Sequence, residues 1–71
     1  MKKLLKDYGF NSDMQYFEMI VTSFLNGQYE QAKNQFKEMP KLKRVQMVQS
    51  AVSNWQSGLS ESQLVTLIGL I

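Results

Sequence analysis

Apolar residues recur along this chain at intervals of three and four rather than two, and glycine and proline cut the recurrences into short blocks. That period is helical, because positions i, i+3, i+4 and i+7 share one face of an α-helix. The first predicted helix is Lys2 to Tyr8, with Leu4, Leu5 and Tyr8 as packing residues and Gly9 as a left-handed stop. Asp13 to Leu25 is the second. Its stripe is Phe17, Ile20, Val21 and Phe24, with Met14 and Leu25 at the edge and Gln15, Glu18, Thr22 and Ser23 opposite. Asn26-Gly27 ends it, since both residues tolerate positive φ. A third helix, from about Gln28 to Glu38, aligns Tyr29, Ala32, Phe36 and Met39 and turns Glu30, Gln31, Asn34, Lys37 and Glu38 away. Pro40 breaks it and opens a fourth, because proline is tolerated in a first helical turn. This helix continues to about Gln56 with Val45, Val48, Val52 and Trp55 as its stripe, Leu42 and Ala51 beside it, and Gly58 as its stop. Lys43, Gln46, Ser50, Ser53 and Asn54 lie opposite.

Two helix starts are written out in the same way. In Gly9-Phe10-Asn11-Ser12-Asp13-Met14-Gln15 and in Gly58-Leu59-Ser60-Glu61-Ser62-Gln63, a glycine is followed by an apolar residue and then by Ser-x-x-Gln. The serine oxygen accepts from the backbone N–H three residues on, and the glutamine reaches back to the serine N–H, so two otherwise orphaned donors are satisfied. The second box opens a fifth helix, Glu61 to about Ile68, with Leu59 and Leu64 at the positions of a hydrophobic staple.

That last helix is apolar over most of its circumference. Leu64, Val65, Leu67, Ile68, Leu70 and Ile71 leave only Ser62, Thr66 and Gly69 as a polar strip. It needs cover on more than one side, so these six residues form the candidate protein interface, either with a second copy or with another protein. If the chain is a stable monomer, the same arc must be buried by the first two helices. With connections of two to four residues and no sustained alternation, the predicted fold is all-α: a compact bundle of four to five short antiparallel helices in one domain.

Length limits how stable such a bundle can be. For 71 residues and 8.2 kDa, area scaling gives roughly 4,500 Å² exposed when folded and roughly 11,900 Å² unfolded, so about 60% of the surface is buried. Stability is then a small margin. With no cysteine to staple the fold, it rests on helix packing or on a partner subunit. The 44% apolar and 11% aromatic content is that of a globular domain. Met1-Lys2-Lys3-Leu4-Leu5-Lys6 lacks the apolar core of a secretory signal, and the run Leu64 to Ile71 is too short to span a bilayer. A cytoplasmic protein with no membrane partner is expected.

Candidate chemistry is sparse. Without histidine or cysteine, a hydrolytic triad or thiolate nucleophile is impossible, and the best neutral-pH general base is missing. The carboxylates Asp7, Asp13, Glu18, Glu30, Glu38 and Glu61 are spread along the chain, and Asp13 and Glu61 already serve as first-turn charges against the helix dipole. The four glycines are used as punctuation rather than gathered into a phosphate loop. The reading is a non-enzyme with no cofactor, no metal and no small-molecule substrate.

Nucleic acid is the alternative partner. Lys33, Lys37, Lys41, Lys43 and Arg44 surround Pro40 in a chain of net charge +2. On a helical projection, however, Lys41, Lys43 and Arg44 point in three directions, and no aromatic is interleaved as a stacking platform. The turn Leu25-Asn26-Gly27-Gln28 precedes a helix without arginine, a poor reader of base edges. A solvated surface accounts for these charges more simply. Five methionines add a further pattern: Met14 and Met39 lie on or beside core stripes, while Met19 and Met47 fall opposite them. Trp55 is expected in the core with Phe17, Phe24 and Phe36.

The segment Gly27-Gln28-Tyr29-Glu30-Gln31-Ala32-Lys33-Asn34-Gln35-Phe36 is similar to the second helix of a tetratricopeptide repeat, with Gly27, Tyr29, Ala32 and Phe36 at that family's spacing. Pro40 arrives about one turn too early and no second copy follows, so a peptide-binding solenoid is not implied. In overall pattern, above all from Asp13 to Pro40, the chain also resembles small helical proteins encoded on bacterial conjugative elements and prophages. That resemblance implies an accessory or regulatory protein and carries no catalytic residue across.

Overall fold

The computed structural model describes residues 1–53 and 57–71, which form five helices in chain order: α1 (Lys2–Tyr8), α2 (Asp13–Leu25), α3 (Tyr29–Glu38), α4 (Lys41–Ser53) and α5 (Glu61–Leu70). Among the described residues there is no strand. Both capping boxes form. Ser12 Oγ accepts from Gln15 N at 3.4 Å and Ser60 Oγ from Gln63 N at 3.3 Å, while each glutamine Oε1 accepts from its serine's backbone N–H. Gly9, Gly27 and Gly58 take φ of 74°, 78° and 83°; Gly9 is the left-handed cap of α1, and the expected role of Gly58 as the stop of α4 depends on residues outside those described. Asn26 stays at φ −86°, so Gly27 alone absorbs the turn between α2 and α3.

α2 is the central element. Tyr16, Phe17, Ile20, Val21, Ser23 and Phe24 are all buried along it, a wider arc than the four-residue stripe of the hydrophobic pattern. α2 packs chiefly on α3, whose Ala32, Gln35 and Phe36, together with Met39 just beyond it, are buried. Tyr29, at the edge of that face, stays more than half exposed. Two of the buried residues are polar, and both find partners. Ser23 Oγ donates to Gln35 Oε1 at 2.9 Å and also lies 3.1 Å from the Met19 carbonyl. Tyr16 Oη donates to the Gln35 carbonyl at 2.7 Å. Ser23 therefore belongs to the α2–α3 contact and not to the solvent face where the pattern placed it.

α4 departs most from the pattern. Its buried residues are Met47, fully enclosed, and Val48, while Arg44, Val45 and Ala51 are half-buried. Val52 and Leu42 are both 64% exposed. The buried side is centred on Met47 and not on the valine stripe, and Arg44 reaches toward the end of α3. Its guanidinium Nη1 donates to the carbonyls of Lys37 and Met39, which the end of α3 leaves without helical partners. α3 has no terminal glycine, and Arg44 serves the carbonyls that one would otherwise help to cap. Met47, expected opposite the core face, comes inward with it. The expected continuation of α4 to Gln56, and the core position of Trp55, lie outside the described residues.

α5 extends to Leu70, one turn's fraction beyond the expected Ile68, and packs on α3 and α4. Leu67 is fully buried, with Leu59, Leu70 and Ile71 packed at the edge of the core. The chain has an accessible surface of 4511 Å², matching the roughly 4,500 Å² of a folded monomer of this mass. Its radius of gyration is 11.1 Å, close to the ~11 Å of a compact chain of this length.

Candidate functional site

The two sets of residues singled out from the sequence meet different fates in the fold. Of the six apolar residues of the last helix, Leu67 is wholly enclosed, and Leu64, Leu70 and Ile71 are partly buried. Leu67 therefore cannot belong to an interface. α5 packs on α3 and α4, and Leu67, Leu70 and Ile71 join the core cluster that also holds residues of the first two helices. What remains outward is Val65 at 61% and Ile68 at 51% exposure. Since α4 packs against α5, Leu42 and Val52 on α4 add to the apolar surface on the same pair of helices. Leu42 and Val52 were missed as surface residues. The signal that could have found them is Arg44, whose reach to the end of α3 sets the rotation of α4.

The basic residues around Pro40 are largely spoken for. Lys33 Nζ lies 2.9 Å from Glu30 Oε1, one turn away on α3. This contact holds the Glu30 carboxyl below its usual range, first through the hydrogen bond and then through the charge of Lys33, with a weaker pull from Lys37. Lys43 Nζ lies 2.8 Å from Asp13 Oδ2, tying the start of α4 to the start of α2. Arg44 is committed to the α3 carbonyls, and its Nε is buried with no partner. Only Lys37 and Lys41 of the five remain exposed and outside any ion pair among the described residues.

A second feature was not legible beforehand. α1 lies against the junction of α3 and α4, and Met1, Lys3, Leu4, Asp7, Glu38 and Pro40 line an open groove of about 410 Å³ between them. At the end of α1 Tyr8 stacks on Phe10 with centroids 5.9 Å apart, and both rings meet Tyr16 edge-on. The hydroxyl of Tyr8 donates to Glu38 Oε2 at 3.4 Å, and that of Tyr16, already donated to the Gln35 carbonyl, lies 3.5 Å from the same oxygen. Burial, reinforced by the negative charge of Glu38, raises both phenols above their ordinary value. Among the described residues no helix is long and apolar enough to cross a membrane. Compared with family models, curated proteins and solved structures, the chain matches none.

Proposed function

We propose that this chain is a small protein-interaction module, acting without catalysis or cofactor, that docks through the outer face of α4 and α5. The observation that carries this reading is the rotation of α4. With Arg44, Met47 and Val48 inward, Leu42 and Val52 stand outward on the helix that packs against the one bearing Val65 and Ile68. Four large aliphatic side chains, each more than half exposed on two adjoining helices, are the composition of a contact surface rather than a solvated one. An accessory role in the cytoplasm, of the kind implied by the resemblance to proteins of conjugative elements and prophages, accords with a module of this size.

The test separates folding from docking, because outward residues tolerate charge. Val65→Lys with Ile68→Lys should leave stability within ~0.5 kcal/mol, measured by thermal melting. A photo-crosslinking residue at position 42 should yield protein adducts, including dimers if a second copy is the occupant, and the charged double variant should lose them. The same probe at Thr22, exposed on α2, should give none. Adducts unaffected by Val65→Lys/Ile68→Lys, or equal yields from both probe positions, would remove the reading.

A further inference from the structure

α1 is the least anchored of the five helices. None of its seven residues is buried, although Leu4 and Leu5 pack against the core from outside, whereas every other helix encloses at least one side chain. The extensive helix pairs among the described residues are α2 with α3, α3 with α5 and α4 with α5. α1 belongs to none of them. Its seam with the α3–α4 junction is also unfilled, since Lys3, Leu4 and Asp7 on one side and Glu38 and Pro40 on the other line the open groove of about 410 Å³.

A helix of this length does not hold itself, because isolated helices shorter than about 12 residues are marginal in water. Its own start signals do not help. Met1 supplies no side-chain cap, and the first turn carries Lys2 and Lys3 with no carboxylate, so its charge opposes the helix dipole. The far end is better held, where Gly9 and Phe10 donate their backbone N–H groups to the carbonyls of Lys6 and Leu5. Tyr8 adds its ring contacts with Phe10 and Tyr16 and an exposed hydrogen bond to Glu38. α2, by contrast, starts on its own capping box beyond Gly9 and needs nothing from α1 to do so. We propose that α1 is a releasable strap: it undocks and unwinds as one unit while α2 to α5 stay folded, pivoting at the left-handed Gly9. Release uncovers the Tyr16 ring and the Glu38 carboxylate, the two groups that Tyr8 contacts across the fold.

The experiment is native-state hydrogen exchange of the full chain, followed by NMR at rising urea below the unfolding transition. The backbone amides of Leu5, Gly9 and Phe10 should exchange at least ~10-fold faster than those of Ile20 and Phe24 in α2, with a shallower urea dependence, because a local opening exposes little surface. Lys2→Glu reverses the unfavourable first-turn charge and should slow exchange in α1 about 2- to 5-fold. Leu4→Gly with Leu5→Gly should release the strap outright, leaving a dispersed spectrum for α2 to α5 whose largest shift changes fall at Phe10, Tyr16 and Glu38. Exchange of the α1 amides in step with Ile20 and Phe24 at every urea concentration, no slowing in Lys2→Glu, or collapse of the whole spectrum in Leu4→Gly/Leu5→Gly would overturn the proposal.

Discussion

At the scale of single residues, the polar interior of the α2–α3 contact explains why Tyr16, Ser23 and Gln35 are where they are. A hydroxyl or amide taken from water costs free energy unless it is paired, and these three groups pair with one another and with backbone carbonyls. Gln35→Ala removes a partner and leaves Ser23 buried, so a loss of roughly 1–3 kcal/mol is expected. Replacing both partners with apolar residues, Ser23→Ala with Gln35→Leu, should be closer to neutral. Urea denaturation of the three variants checks this, and additive losses in the double variant would show that the pair is not coupled. Tyr16 also gives a pH dependence. Its phenol is raised by burial and by Glu38, so the folded chain keeps a proton that the unfolded chain loses near pH ~10. The contribution is complete below that value and is lost as pH rises above it through the higher folded value. Stability should fall between pH ~9 and ~11 in the parent chain, and less steeply in Tyr16→Phe. Equal slopes would assign the alkaline loss to other groups.

At the scale of the elements, α4 shows how one charged side chain can outweigh a hydrophobic stripe. Val45, Val48 and Val52 form a regular apolar series, yet the inward face is centred on Met47. The short connection through Pro40 brings Arg44 to the unpaired carbonyls at the end of α3, and hydrogen bonds from a charged donor are worth ~1.5–3 kcal/mol. Turning the helix to bury Val52 would forfeit them and expose Met47. The two faces are separable by measurement. Met47→Ala should cost roughly 2–5 kcal/mol as a buried large-to-small change, whereas Val52→Ala on the outward side should change stability by less than ~0.5 kcal/mol. Chemical denaturation midpoints decide between the two assignments, and the reverse order would restore the valine stripe to the core.

At the scale of the whole molecule, apolar burial is distributed unevenly, and the proposed docking surface follows from that. The core of α2, α3, Met47 and Leu67 closes with a surface no larger than a monomer of this mass requires. Leu42, Val52, Val65 and Ile68 stand exposed on α4 and α5, as Leu25 and Tyr29 do where α2 meets α3.

The sequence alone determined the elements. Its glycines, its proline and its two Ser-x-x-Gln boxes act through backbone geometry and hydrogen bonds within one or two turns. The bounds of α1 and α2 and the start of α5 could therefore be read from neighbours in the chain. The stripe Phe17, Ile20, Val21 and Phe24 was equally legible, because it faces the core in any packing of a central helix. Tertiary structure decided what depends on contacts across the chain: the rotation of α4, the burial of Ser23, Gln35 and Leu67, and the pairing of Lys43 with Asp13. It also decided the meeting of Tyr8 with Glu38, and of Lys3 with Glu38 and Pro40 across the groove. Periodicity counts apolar residues and cannot register that an arginine faces inward or that a lysine is already paired. Those outcomes are set by partners far away in sequence, and which face of α4 or which lysine stays free is fixed only when the helices pack.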